Sequence, residues 1–113
     1  MTPEKRVICV SWNQALAQSR QLLLRSLGVT VLTALYEREA LALCREDADL
    51  LVLGHSVPRE EKRLIIECFR EHSTAPVLSL LQIGDKKLPE ATFGVESAKP
   101  EEVLRVVRQI LNP

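Results

Sequence analysis

Short unbroken apolar runs alternate along the chain with longer stretches in which apolar residues recur at helical spacing. Val7-Ile8-Cys9-Val10 is the first such run and predicts a strand. A helix is predicted from about Asn13 to Leu27, with Leu16, Leu23, Leu24 and Leu27 on one face. Gly28 supplies its stop, since glycine tolerates the left-handed cap conformation. Val29 to Ala34 reads as a second strand. Glu37 to Glu46 reads as a second helix that buries Ala40, Leu43 and Cys44. The run Leu50-Leu51-Val52-Leu53 has no polar alternation, as expected of a strand covered on both faces. Pro58 opens a third helix, with Glu60 and Glu61 in its first turn, where the helix dipole favours anions. Leu64, Ile65, Cys68 and Phe69 form its expected buried face. Val77 to Leu81 is a fourth strand, Thr92 to Ala98 a weak fifth, and Pro100 starts a final helix with the stripe Val103, Val106, Val107 and Ile110. Residues 82–91 hold Gly84, Pro89 and two lysines but no helical stripe, so a loop with at most one helical turn is predicted there.

Strands linked by helices require crossover connections, and crossovers make a parallel sheet. The predicted architecture is a doubly wound α/β sandwich, strand order 2-1-3-4-5, with the fourth helix short or missing. Residues 1–113 form one domain, without repeat or linker.

Composition narrows the function. Hydrophobic residues make up 46% and charged residues 27%, the balance of a globular domain, while aromatics are only 4%, so the core must be aliphatic. Fifteen basic residues offset fifteen acidic ones. No basic face is implied, and nucleic-acid binding needs one. No apolar run approaches the roughly 20 residues of a membrane span, and the run after Lys5-Arg6 is broken by Ser11 and Asn13, so neither a membrane anchor nor a secretory leader is expected. Cys9, Cys44 and Cys68 are widely spaced and form no metal-ligand pair. Buried reduced thiols and a cytoplasmic location fit them. There is no Gly-rich phosphate loop, no Ser-His-Asp arrangement and no ligand cluster at metal spacing, so neither enzyme activity nor a cofactor is expected.

Three local patterns in this order resemble the receiver domain of bacterial two-component response regulators. Arg6 to Val10 is similar to that family's first strand. Asp49 to Leu53 followed by Pro58 is similar to its third strand and loop, and Lys99-Pro100 to the Lys-Pro that closes its fifth strand. The resemblance covers nearly the whole chain and implies the flavodoxin-like fold and a role in signal transduction or a phosphorelay. It also implies five chemical positions. Two adjacent carboxylates after the first strand hold magnesium, an aspartate ending the third strand accepts the phosphoryl group, and a Thr or Ser and a Lys bind the transferred phosphate.

The sequence departs at four of those five positions. The carboxylate pair maps onto Ser11 and Trp12, the phosphoacceptor onto Gly54, and the hydroxyl onto Leu81, with Ser79 as the alternative if the register slips. Only Lys99 remains. The aromatic that usually precedes this Lys maps onto Glu96. Without the acids there is no nest for magnesium and no nucleophile. His55 is the one other phosphoryl acceptor nearby, but an exposed loop histidine is the blander reading. Trp12 reads as an apolar plug or as a partner anchor. Lys99 reads as the end of a strand or as an anion ligand beside Ser11 and the amides after Gly54. A carboxylate placed at position 54 is expected to pair with Lys99.

The leading expectation is a pseudo-receiver that works without phosphorylation by docking a signalling protein. The alternative is a small-anion or small-ligand sensor around Lys99. A remnant enzyme on the same fold is a third reading. With the fourth helix absent, residues 80–96 and the flank of the last helix are a candidate interface, in a homodimer or with a partner, through Ile83, Leu88, Phe93, Val95 and Glu96. The competing expectation is a monomer in which Ile83 and Leu88 plug the gap.

Overall fold

The computed structural model describes residues 4–112. Its elements are β1 (Arg6–Val10), α1 (Gln14–Arg25), β2 (Thr30–Ala34), α2 (Glu37–Leu43), β3 (Leu50–Leu53), α3 (Arg59–Arg70), β4 (Val77–Leu81), β5 (Phe93–Glu96) and α4 (Pro100–Leu111). The strands form one parallel sheet in the order β2-β1-β3-β4-β5, as the alternation of patterns predicts.

Strand alternation divides the apolar side chains between two cores. Ile8, Val10, Leu51, Leu53 and Val77 face α2 and α3, where Ala40, Ile65 and Phe69 meet them. Val7, Cys9, Leu50, Val52, Leu78 and Leu80 face α1 and α4, where Leu24, Val103 and Val107 meet them. The central strands are buried on both faces because helices cover both. Local signals set the element ends. The Asn13 side chain accepts a hydrogen bond from Leu16 N at 3.0 Å and caps α1. Gly28 turns the chain into β2 with φ of 77°, a left-handed conformation that costs glycine nothing.

Several boundaries and faces differ from the sequence expectation. α2 stops at Leu43, with Cys44 as its C-cap. β5 is shorter than predicted at both ends. The inward residues of α1 are Ala17, Arg20 and Leu24, while Leu16, Leu23 and Leu27 are only half buried. In α3 the inward stripe is Lys62, Ile65, Ile66 and Phe69, and Leu64 faces outward, half exposed. In both helices a basic residue holds an inward position, which an apolar template skips. Cys9 and Cys44 are buried free thiols and Cys68 is half buried.

Between β4 and β5 there is no helix, only turns. Leu88 covers the exposed sheet face instead. It is 0% exposed and joins the core formed with Ile8, Leu53, Ile65 and Phe69. Leu88 is therefore not available as an interface residue, which corrects that part of the expectation. Ile83 does not plug the gap and is 78% exposed, and Phe93 is 41% exposed. Val95 and Glu96 are half buried. No helix among the described residues is long and apolar enough to cross a membrane.

Candidate functional site

The carboxyl ends of the strands bring together the loops after β1, β3 and β5, the place where open α/β sheets bind ligands. Ser11 extends the ladder past β1, its N–H donating to Ala34 O at 3.1 Å. Its side chain is fully buried, and its hydroxyl lies 3.1 Å from that of Ser56. Ser56 Oγ also accepts from Trp12 N at 3.0 Å. The two serines thus tie the β1 loop to the β3 loop. Trp12 is half buried, packs against the α2–α3 core, and donates its indole N–H to Glu61 at 3.0 Å.

Gly54 is buried directly after β3, its N–H donating to Val10 O at 2.7 Å. A Cβ here would stand 2.9 Å from Arg20 Nη1, 3.0 Å from Val10 O and 3.3 Å from Ser11 Cβ. Glycine is present because other groups already fill the space a side chain needs. The largest of them is the guanidinium of Arg20, a residue only 8% exposed.

Arg20 Nη2 lies 3.0 Å from His55 Nδ1, and Ser97 Oγ lies 2.7 Å from the same nitrogen. A guanidinium only donates, so Nδ1 is the acceptor and the imidazole proton sits on Nε2. His55 is held neutral in this arrangement. Burial lowers its pKa first, and the positive charges of Arg20 and Lys62 lower it further, against an opposing pull from Asp85. Arg20 Nη1 has no hydrogen-bond partner among the described residues.

A second cation lies on the other face. Lys62 is 4% exposed and donates to Ser79 Oγ and to Leu80 O, both at 2.9 Å. Neither acceptor is charged. Burial pushes the ammonium pKa down to about 8, and Arg59 and Arg20 add to that, while Asp85 partly offsets it. Ser79 is thus engaged by a lysine inside the protein, and the half-buried Leu81 is the last residue of β4. Lysine and arginine are almost never buried unless paired, and here two are buried against neutral partners.

The expected site residues are therefore only partly assembled. Ser11, Trp12 and Gly54 converge. Lys99 does not join them. It caps the start of α4, is exposed, and lines a shallow cleft with Gly94, Val95, Glu96 and Glu102. The anion pocket expected between Lys99, Ser11 and Trp12 is not formed; the cation beside Gly54 is Arg20, and Lys62 lies against Ser79 and Leu80 of β4. The sequence reading missed both, and also Ser56 and Ser97. The signal was present in α1 and α3, where Arg20 and Lys62 stand at the helical spacing of the buried residues around them.

These side chains do not fit a magnesium ion. A hard divalent cation needs carboxylate or other oxygen ligands, and a guanidinium occupies the space beside Gly54. No group of His, Cys, Asp and Glu able to hold a metal occurs among the described residues.

No family model matches the sequence, and no curated protein matches it. Solved structures do. A putative response regulator from Chloroflexus aurantiacus is 24% identical with a TM-score of 0.82, covering 98% of this chain and 100% of its own. The chemotaxis protein CheY4 of Vibrio cholerae is 21% identical with a TM-score of 0.79, covering 96% and 99%. The receiver domain of the hybrid histidine kinase CckA is 24% identical with a TM-score of 0.77, covering 95% and 99%. Together with the observed strand order, these likenesses show that the chain has the fold of CheY-like response regulator receiver domains.

Proposed function

We propose that this chain is a pseudo-receiver, a receiver-fold domain that docks a signalling partner in bacterial signal transduction without being phosphorylated and without enzyme activity. The observation that carries the reading is the contact between Arg20 and Gly54. The guanidinium takes the volume of the missing acceptor side chain, and two uncharged side chains, Ser11 and Trp12, take the place of the metal-binding acids. Phosphoryl transfer needs an anionic nucleophile and a charge-neutralising metal, and neither has ligands here. Ser11 and Ser56 tie the loops after β1 and β3 together, and Glu61 ties Trp12 to α3, which suits a constitutive binding surface. The exposed Ile83 and Phe93 supply the apolar part of such a surface.

The test is incubation with acetyl phosphate and magnesium, read by intact mass. The expected result is an unchanged mass. A phosphoryl adduct in substantial yield, whether acid-stable or labile, would overturn the reading.

The alternative of an anion sensor built on Lys99 has no observation in its favour, because Glu96 and Glu102 share the cleft of that lysine.

A further inference from the structure

Cys44 and Cys68 meet where α2 packs on α3. Cys44 is the C-cap of α2 and is fully buried. Cys68 lies in the last turn of α3 and is half buried. The Cys44 thiol donates to Ile65 O at 3.6 Å, and the Cys68 thiol donates to Leu41 O at 3.7 Å. Each sulfur thus touches the main chain of the other's helix, one turn before the other cysteine. This reciprocal arrangement makes the two sulfurs neighbours. Burial pushes the Cys44 thiol up to about 12, and the adjacent Cys68 sulfur adds to the rise. Cys9 stands apart, in the core on the opposite face of the sheet.

A disulfide forms only where two main chains approach closely, with Cα atoms roughly 4.4–6.8 Å apart. A sulfur in contact with the opposing carbonyl already spans most of the gap between the helices. What each side chain must do is turn from a carbonyl toward a sulfur. The two thiols differ in access. Cys68 lines an open cleft of about 740 Å³ with Tyr36, Leu41 and Arg45, and Cys44 does not reach it. A small oxidant arriving from solvent therefore meets Cys68 first. Cys44 waits behind it, a poor nucleophile toward solvent but held beside its target, where proximity replaces an encounter.

We propose that Cys44 and Cys68 form a reversible disulfide, with a small hydroperoxide as the oxidant and Cys68 as the residue it attacks first. The Cys68 sulfur gives up its proton and bonds to one peroxide oxygen as the O–O bond breaks, leaving a sulfenic acid and a first water. The Cys44 sulfur then gives up its proton and bonds to the Cys68 sulfur as the S–O bond breaks, and a second water leaves. The two thiols lose two electrons, and hydrogen peroxide gains them. The bond joins the end of α2 to α3 and removes both S–H donors from Leu41 O and Ile65 O. The site is independent of the docking role, and either stands if the other fails.

The test treats the folded chain with hydrogen peroxide, unfolds it, blocks the remaining thiols with N-ethylmaleimide, and reads intact mass and a peptide map. Glutathione in a parallel tube shows that the dose oxidises a free thiol. The expected product is a single chain two hydrogens lighter before blocking, with the Cys44 and Cys68 peptides cross-linked and Cys9 alone alkylated. Dithiothreitol should restore all three thiols. Cys44→Ala should stop at a Cys68 sulfenic acid that dimedone traps. Cys68→Ala should keep its two buried thiols at the dose that converts wild type. The wild-type map decides the matter if either variant fails to fold. The proposal is overturned by three free thiols in wild type once glutathione is oxidised, or by Cys68 sulfinic acid with Cys44 left free. It is equally overturned by a bond between two chains or to Cys9, or by a Cys44–Cys68 bond that forms only after unfolding.

Discussion

Arg20 and Gly54 are complementary: the guanidinium Nη1 stands 2.9 Å from the point where a Cβ on residue 54 would be. The pair links two departures from the receiver pattern that look unrelated in sequence. A glycine at position 54 leaves room for the arginine, and the arginine in turn opposes a side chain there.

Gly54→Ala should therefore be destabilising. Its methyl meets backbone at Val10 O as well as the flexible arginine tip, so relaxation is only partial. Overpacking of this kind costs about 1–3 kcal/mol. Urea unfolding of the single variants and of Gly54→Ala with Arg20→Ala forms a double-mutant cycle. The expected result is a double variant less destabilised than the sum of the two singles. Strict additivity would mean that the two residues do not compete for space.

Gly54→Asp should not confer phosphorylation. The sequence alone points to Lys99 as the partner of a new carboxylate. In the structure the nearest cation is Arg20, because Lys99 lies in a different cleft. Paired with a guanidinium and lacking a second acid, the aspartate has no route to a magnesium ion. Intact mass after acetyl phosphate and magnesium treatment checks this. Magnesium-dependent phosphorylation of the single variant would show that Arg20 swings away from the site and leaves it competent.

Lys62 makes stability depend on pH in a defined window. Its pKa falls from 10.5 in the unfolded chain to about 8 in the folded protein. Between those values the unfolded state binds more protons at this group, so the Lys62 contribution to stability rises as pH increases from about 8 to 10.5, while the buried thiols Cys9 and Cys44, pushed up from 9.0, pull the other way above about pH 9. Below that window both states are protonated, and burying the charge lowers stability by a constant amount. Lys62→Met removes the titrating group, so its contribution to the rise should disappear. Denaturant melts of both proteins across the window measure the difference. Equal slopes in wild type and variant would show that the ammonium is not held in a desolvated place.

The fold was legible because it depends on patterns that survive any choice of apolar residue. The unbroken run Leu50–Leu53, the stop at Gly28 and the Pro at the start of α4 each mark an element without help from the others. That Ser11, Trp12 and Gly54 meet at the carboxyl ends of the strands was legible too, since it needed only the strand ends. The basic residues buried near them were not. Arg20 and Lys62 look like solvated helix residues until tertiary packing turns them inward, and an apolar template assigns Leu64 to the core in place of Lys62. The contact of His55 with Ser97 joins residues 42 positions apart, and no local pattern carries that. The absence of a helix after β4 was visible in Gly84 and Pro89, but which residue covers the gap depends on how the loop folds back.

Leu88 covers that gap. Truncation of a fully buried leucine leaves a cavity, and Leu88→Ala should cost about 2–5 kcal/mol. Ile83 lies in the same loop with most of its surface in water, and Ile83→Ala should change stability by less than about 0.5 kcal/mol. Chemical denaturation of the two variants separates a loop packed as a structural element from one resting loosely on the sheet. Similar values for both would remove Leu88 from the core.

The burial of Leu88 also changes the outlook for self-association. An uncovered face on β4 and β5 would present a continuous apolar patch suited to a second copy. With Leu88 folded in, the apolar side chains left exposed around the β4–β5 connection are Ile83 and Phe93. Phe93 borders a cleft formed with Arg105, Val106, Gln109 and Ile110 of α4, so the half-buried Val106 and Ile110 extend the apolar surface and Arg105 and Gln109 interrupt it. A stable dimer buries about 800 Å² on each partner, more than these few side chains provide. The chain alone should therefore be monomeric by light scattering at high concentration, and a dimer there would show that a larger surface is involved. Ile83 and Phe93 remain suited as anchors for a different protein whose own surface supplies the remaining area. An Ile83→Asp, Phe93→Asp double variant should stay folded, because neither residue belongs to either core. In cross-linking from native cells, a partner bound through this surface should be lost from the double variant and kept by wild type. A partner retained equally by both would place the docking site elsewhere.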